Sequence, residues 1–217
     1  MEEENCLAKR SCNTHQITFT QLERLYGLDP SVPAFRALRQ LWEKDAASRP
    51  LLALLCACAR DPLLREAAPF ILRHKPGAEV SARAVADFLE KENPGRFSPA
   101  TLHSASRNIR STFTQSGHLQ GRSRKTRVRC RATPAAAAYA LYLGRLGGLV
   151  GGELLQTIFT ALLDCDAAEA FDLAQTAAQK GWLDLKRVGD IVEIEFPNWP
   201  CPNGRYPNGR YPNDVDR

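Results

Sequence analysis

The sequence predicts a mainly α protein: a helical N-terminal region, a winged helix-turn-helix in the middle, and C-terminal helices joined to a β-hairpin. Three observations predict it. Apolar residues recur at helical spacing through most of the 217 residues, and Ser, Thr or Asp directly followed by Pro opens several of these runs. Alternation with a period of two is confined to two short stretches, each following a helical run. Residues 93–152 hold ten Lys or Arg and no Asp or Glu. The regions expected are 1–77, helical; 78–132, a basic winged helix; 133–197, helices plus a hairpin; and 198–217, a tail.

Segment 18–75 reads as consecutive helices. In FRALRQLWEKD, Phe35, Leu38, Leu41 and Trp42 form a stripe opposed by Arg36, Arg39, Glu43 and Lys44. RPLLALLCACAR is apolar on nearly every face and is expected to be the central buried helix of this half, with Cys56 and Cys58 as small core residues. Asp61 and Pro62 pair an N-cap with a first-turn proline, and His74, Lys75, Pro76 and Gly77 make a stop.

Ser81 caps ARAVADFLEKE, whose inward stripe is Ala84, Val85, Phe88 and Leu89. Ser98 and Pro99 then open a stretch of one helix or two, in which Leu102, Ala105, Ile109 and Phe113 commit one face to packing. The other side offers Ser104, Arg107, Asn108, Arg110, Ser111, Thr114 and Gln115. Beyond Gly117, Leu119 and Val128 flank a basic tip, and Val128, Cys130 and Ala132 alternate with Arg127, Arg129 and Arg131. A hairpin wing is expected, with the cations facing outward.

Thr133 and Pro134 start AAAAYALYLGRLGG, and the glycines from 144 to 152 form a small-residue zone without the GxxxxGK[ST] pattern of a phosphate loop. Helices over 153–163 and 167–180 lead to WLDLKRVGDIVEIEF, a second hairpin around Gly189 and Asp190. This second unit is acidic and suits packing or partner contact. The tail carries PNGRY twice and is expected to be mobile.

The formal charge of +5 conceals an asymmetry: residues 1–92 balance at zero, 93–152 carry +10 and the remainder −5. A focused positive field favours a polyanion over a small neutral ligand. Arg122, Arg124, Lys125, Arg127, Arg129 and Arg131 are expected to contact phosphates, with Arg107, Asn108, Arg110 and Ser111 approaching bases or backbone. The expected partner is double-stranded DNA, although phosphate contacts alone do not separate DNA from RNA.

An enzyme reading finds little support. The histidines at 15, 74, 103 and 118 have no carboxylate or cysteine at triad or metal spacing, and the basic block supplies no carboxylates for a nuclease centre. The seven cysteines show no repeating pair spacing, and Cys56 and Cys58 are their only tight pair, so neither a disulfide framework nor a metal site is expected, and no cofactor. The charged N-terminus lacks a signal peptide's apolar region, and Arg145 interrupts the longest apolar run, so a cytoplasmic protein without membrane contact is expected. Oligomeric state is not legible.

The stretch LWEKDAASRPLLALLCACARDPLLREAAPFIL, followed by EVSARAVADFLEKENPGRFSPATLHSASRNIRSTFTQSGHL, resembles in arrangement the BrxA family of bacteriophage-exclusion (BREX) defence systems. The likeness covers residues 20–120 and transfers no individual residue. It implies a small helical DNA-binding accessory factor of bacterial phage defence, working with other defence proteins. Two other readings fit the same features: an adaptor recruiting a protein partner, and a winged-helix transcriptional regulator.

Overall fold

The structure is a computed structural model and describes residues 12–199; the PNGRY repeats lie outside the described residues. It is mainly helical, with two short antiparallel hairpins. The helices are α1 (Cys12–Tyr26), α2 (Pro33–Lys44), α3 (Arg49–Arg60), α4 (Pro62–Leu72), α5 (Ala82–Glu92), α6 (Pro99–Gln115), α7 (Pro134–Leu146), α8 (Ile158–Ala161) and α9 (Ala167–Gln179). The hairpins are β1 (Leu119–Gln120) with β2 (Thr126–Arg127), and β3 (Asp184–Val188) with β4 (Ile191–Glu195). Among the described residues no helix is long and apolar enough to cross a membrane.

The predicted caps form. Asp61 accepts from the amides of Leu63 and Leu64, Ser81 from Ala84, Ser98 from Thr101 and Thr133 from Ala136. Each satisfies a donor that the first helical turn leaves without a partner. The stretch after Ser98 is a single helix. Residues 153–163 are not one: a 3-10 helix (Gly151–Gln156) stops at Thr157, whose backbone turns extended and whose hydroxyl caps α8 through Thr160 N–H. Threonine here competes with the helix for its own backbone donors.

One continuous core joins the expected N- and C-terminal regions. α3 buries Leu51, Leu52, Leu54, Leu55, Cys56 and Cys58, and it packs on α1, α2, α4 and α7. The buried run Ala135–Ala138 keeps α7 slim enough for α2, α3, α8 and α9 to crowd against it. Gly144 continues this, since a Cβ there would sit 3.0 Å from Leu154 and 3.1 Å from Thr157. Tyr139 is fully buried and donates to Ala34 O at 3.0 Å, tying α7 to α2. Trp42 leaves the predicted stripe: it is 38% exposed, with the Arg49 guanidinium over its ring. Ala34, Ala37, Leu38 and Leu41 already fill the contact face of α2.

Two successive units share an element order. In the first, α4 leads through an extended segment to α5, α6 and the β1–β2 hairpin; in the second, α7 leads to α8, α9 and β3–β4. Both long helices end alike, with His118 N–H reaching back to Phe113 O and Trp182 N–H to Ala177 O. In the first unit the segment at 77–80 also bonds to β2, through Gly77 N to Arg127 O, Arg127 N to Ala78 O and Val80 N to Lys125 O.

The units meet at Asp164. Its carboxylate accepts from Arg127 Nη2 at 2.5 Å and from the Cys130 amide at 2.9 Å, while its carbonyl accepts from Arg129 Nε at 2.9 Å. Asp164 holds φ at 57°, a left-handed conformation that Asp tolerates better than most residues. Arg127 is 2% exposed. Removing one partner of such a pair leaves a buried charge uncompensated, whereas removing both is often close to neutral. Asp164→Ala should therefore lower the unfolding free energy in urea by about 3–5 kcal/mol, and adding Arg127→Met should restore most of it. A single-variant loss below about 1 kcal/mol would assign the pair the weak role of a surface contact.

Candidate nucleic-acid interface

The expected contact residues divide sharply by environment. On α6, Ser104, Arg107, Asn108, Ser111 and Gln115 are exposed and lie along one face, while Leu102, Ile109 and Phe113 turn inward. The spacing of three and four residues produces this division directly. No acidic side chain occurs on the helix. Arg107, Asn108 and Ser111 therefore stand where the sequence places them.

Arg110 does not. It is 8% exposed and donates from Nη2 to Ser123 O at 3.1 Å, reaching from α6 to the tip of the hairpin. Burial lowers its pKa, with the Glu79 charge acting the other way. Its partner is the protein's own backbone, so the expected contact with nucleic acid is replaced by a tie between helix and hairpin. Lys125 makes a second tie: half-buried, it donates from Nζ to Thr114 Oγ1 at 2.7 Å. Desolvation first, and then the Arg110 charge, lower its pKa. The hairpin turn itself needs Gly121, whose φ is 104° and whose Cβ, if present, would meet Arg124 O at 2.1 Å.

The predicted alternation of the second wing strand is correct only in part. Regular pairing stops after Arg127, and that residue points inward, where it also donates to His118 O at 3.2 Å. The Asp164 carboxylate supplies the charge partner that makes this possible; it lies 37 residues away, outside the acid-free block. Arg129 and Arg131 face outward, and Arg129 pairs with Glu169. Arg124 pairs with Glu79 at 2.7 Å, but its side chain is 77% exposed, and such a surface pair exchanges readily. Among the described residues, Arg107, Arg122 and Arg131 are the candidate contact cations that are exposed with no side-chain acid partner.

Sequence reasoning missed the role of Glu79. It sits on the segment that adds a bridge to β2 at Thr126 and so brings an acid to the hairpin from outside the block. A lone glutamate between a turn and a helix cap carries no local signal for this.

His118, Cys130 and Asp164 place one possible ligand atom each within 4.8 Å of the others. Their hydrogen bonds argue against a metal centre. His118 Nε2 faces the Leu162 carbonyl at 3.0 Å and must donate to it, leaving Nδ1 to accept from the Ser116 hydroxyl at 2.8 Å. Cys130 Sγ turns toward the carbonyls of Leu162 and Leu163, and burial first, then the nearby Asp164 charge, push its thiol up to about 12. Both Asp164 oxygens are engaged by Arg127 and the Cys130 amide. The cluster is a structural junction between the two units.

No family model, curated protein or solved structure matches this chain.

The junction carries a pH dependence. Burial first, opposed by the Leu162 contact, lowers His118 from 6.5 to about 4. The unfolded chain thus binds a proton below about pH 6.5 that the folded protein takes up only near pH 4. The stabilising contribution is complete above the unfolded value and declines as pH falls toward 4. Urea titrations at pH 7.5 and pH 5 should give a lower midpoint at pH 5, and His118→Gln should flatten the difference. An equally steep pH dependence in that variant would place the titrating group elsewhere.

Proposed function

We propose that this chain is a non-enzymatic DNA-binding protein that holds duplex DNA against α6 and the β1–β2 hairpin. The observation that carries the reading is the exposed, acid-free face of α6 beside a hairpin tied to the same helix by Arg110 and Lys125. The order α4, extended segment, α5, α6, β1, β2, with the segment at 77–80 bonded to β2, is the order expected of a winged helix-turn-helix and supports this reading. In that arrangement the last helix enters the major groove and the wing follows the phosphates. The resemblance to BrxA proteins, which rests on layout, adds a setting: an accessory factor of phage defence in the bacterial cytoplasm.

A protein-contact role for the second unit is favoured by its surface. Leu149, Val150, Val188 and Ile191 are exposed there, Val188 and Ile191 at the tip of a hairpin that also carries Asp184, Asp190, Glu193 and Glu195. This role is compatible with DNA binding by the first unit.

Four to six phosphate contacts from the wing cations would give a slope of log affinity against log salt of about −4 to −5. The environments reduce the phosphate set to Arg122, Arg131 and, by exchange from Glu79, Arg124. The expected slope is then about −2 to −3. Fluorescence anisotropy with a labelled duplex at several salt concentrations measures it, and absence of binding at low salt would overturn the proposal. Arg122→Ala should weaken binding and make the slope shallower by about 0.9. Arg110→Met, in protein shown to be folded by circular dichroism, should weaken binding by releasing the wing while leaving the slope unchanged. A shallower slope in Arg110→Met would return that residue to the phosphate contacts.

A further inference from the structure

The outer face of α6 differs from a surface that merely holds phosphates. Phosphate oxygens only accept hydrogen bonds, so a backbone-tracking helix is served by donors and positive charge. The line Ser104, Asn108, Ser111 and Gln115 carries neither a cation nor an acid, and Arg107 stands beside it as the exposed cation of the helix. Asn108, Gln115 and the serines accept hydrogen bonds as well as donating them. That acceptor capacity has no use against phosphate and a direct use against the amino groups of base edges.

The polar groups on this line are also available. Among the described residues, the side chains of Ser104, Arg107, Asn108 and Ser111 make no hydrogen bond or ion pair within the protein. By contrast, Arg110 and Lys125 on the wing side are engaged in holding the hairpin. Ser104 and Ser111, one turn either side of Arg107 and Asn108, are short, so these two longer side chains project beyond their neighbours. Arg107 and Asn108 are consecutive and point about 100° apart around the helix, yet both lie on its exposed side, so the two side chains leave the same turn in different directions.

We infer that α6 reads sequence in the major groove, Arg107 selecting guanine and Asn108 adenine at neighbouring base pairs. Arginine matches the two acceptors of guanine, O6 and N7; the asparagine amide matches the N6 donor and N7 acceptor of adenine. The inference rests on the duplex-DNA reading above and sharpens it: affinity for an arbitrary duplex is modest because few cations are free, and discrimination comes from the helix.

Selection from a random duplex pool with the full-length protein, followed by titration of the selected and a scrambled duplex, tests this. The expected result is enrichment of adjacent guanine and adenine within the site. Asn108→Ala should weaken the selected duplex by roughly 5- to 150-fold, the range of one bidentate base contact, and leave the scrambled duplex unchanged. Arg107→Lys keeps the charge but loses the planar fork, so it should relax the guanine position without altering the salt slope. If duplexes bind but the scrambled one competes equally, the inference falls while the duplex reading stands. If no duplex binds at low salt, both fall. Should Arg107→Lys retain full discrimination, the contact of Arg107 is with phosphate and its assignment to guanine is overturned.

Discussion

The buried ion pair between Arg127 and Asp164 is the constraint around which this molecule is arranged. It lies where the hairpin of the first unit meets the loop before α9, and both partners are held by further bonds: Arg127 to the carbonyls of His118 and Val128, Asp164 to the amide of Cys130. An arginine at 2% exposure is tolerable only with such a set of acceptors. Asp164 in turn adopts a left-handed backbone that brings its carboxylate to Arg127 and its carbonyl to Arg129. Through these bonds β2, the turn after α6 and the loop before α9 are tied together. The neutral His118, packed edge-on against Phe113 and bonded to Leu162, completes it.

This junction alters the meaning of the positive charge. Ten cations in an acid-free run look like a single electropositive surface, but folding draws Glu79, Asp164 and Glu169 to three of them. Arg110 and Lys125 act as struts between α6 and the hairpin. Of the candidate contact cations, those left exposed without an acid partner, Arg107, Arg122 and Arg131, sit on the α6 face, at the hairpin tip and after β2. A preorganised frame with few free charges suits a site in which hydrogen-bond geometry matters more than field strength.

The two units show how one element order can diverge in use. Both place a long helix before a hairpin, and both close that helix with the same backbone turn. In the first the helix face is polar and acid-free; in the second α9 exposes Glu169 and Asp172, and its hairpin is acidic with an apolar tip. Shared architecture therefore does not carry shared function, because the exposed positions are the ones that packing leaves free to vary. The α7 core, by contrast, serves both halves and admits little change.

Most of the elements were legible in the sequence, the break at Thr157 and the short β2 excepted. Cap residues before prolines, apolar spacing in α3, α5 and α6, and the two-residue turn at Gly189 and Asp190 are local signals, and local chemistry decided them. The exposed face of α6 was legible for the same reason, since helical periodicity alone assigns Arg107, Asn108 and Ser111 to the side opposite Ile109 and Phe113. Local pattern did not decide which cations are free. Arg127 and Arg129 share one alternating run, yet one is buried and the other exposed, because acids 37 and 40 residues away complete their environments. Charge is a property of the residue and composition reports it; availability of that charge depends on long-range partners, which only the tertiary structure brings together.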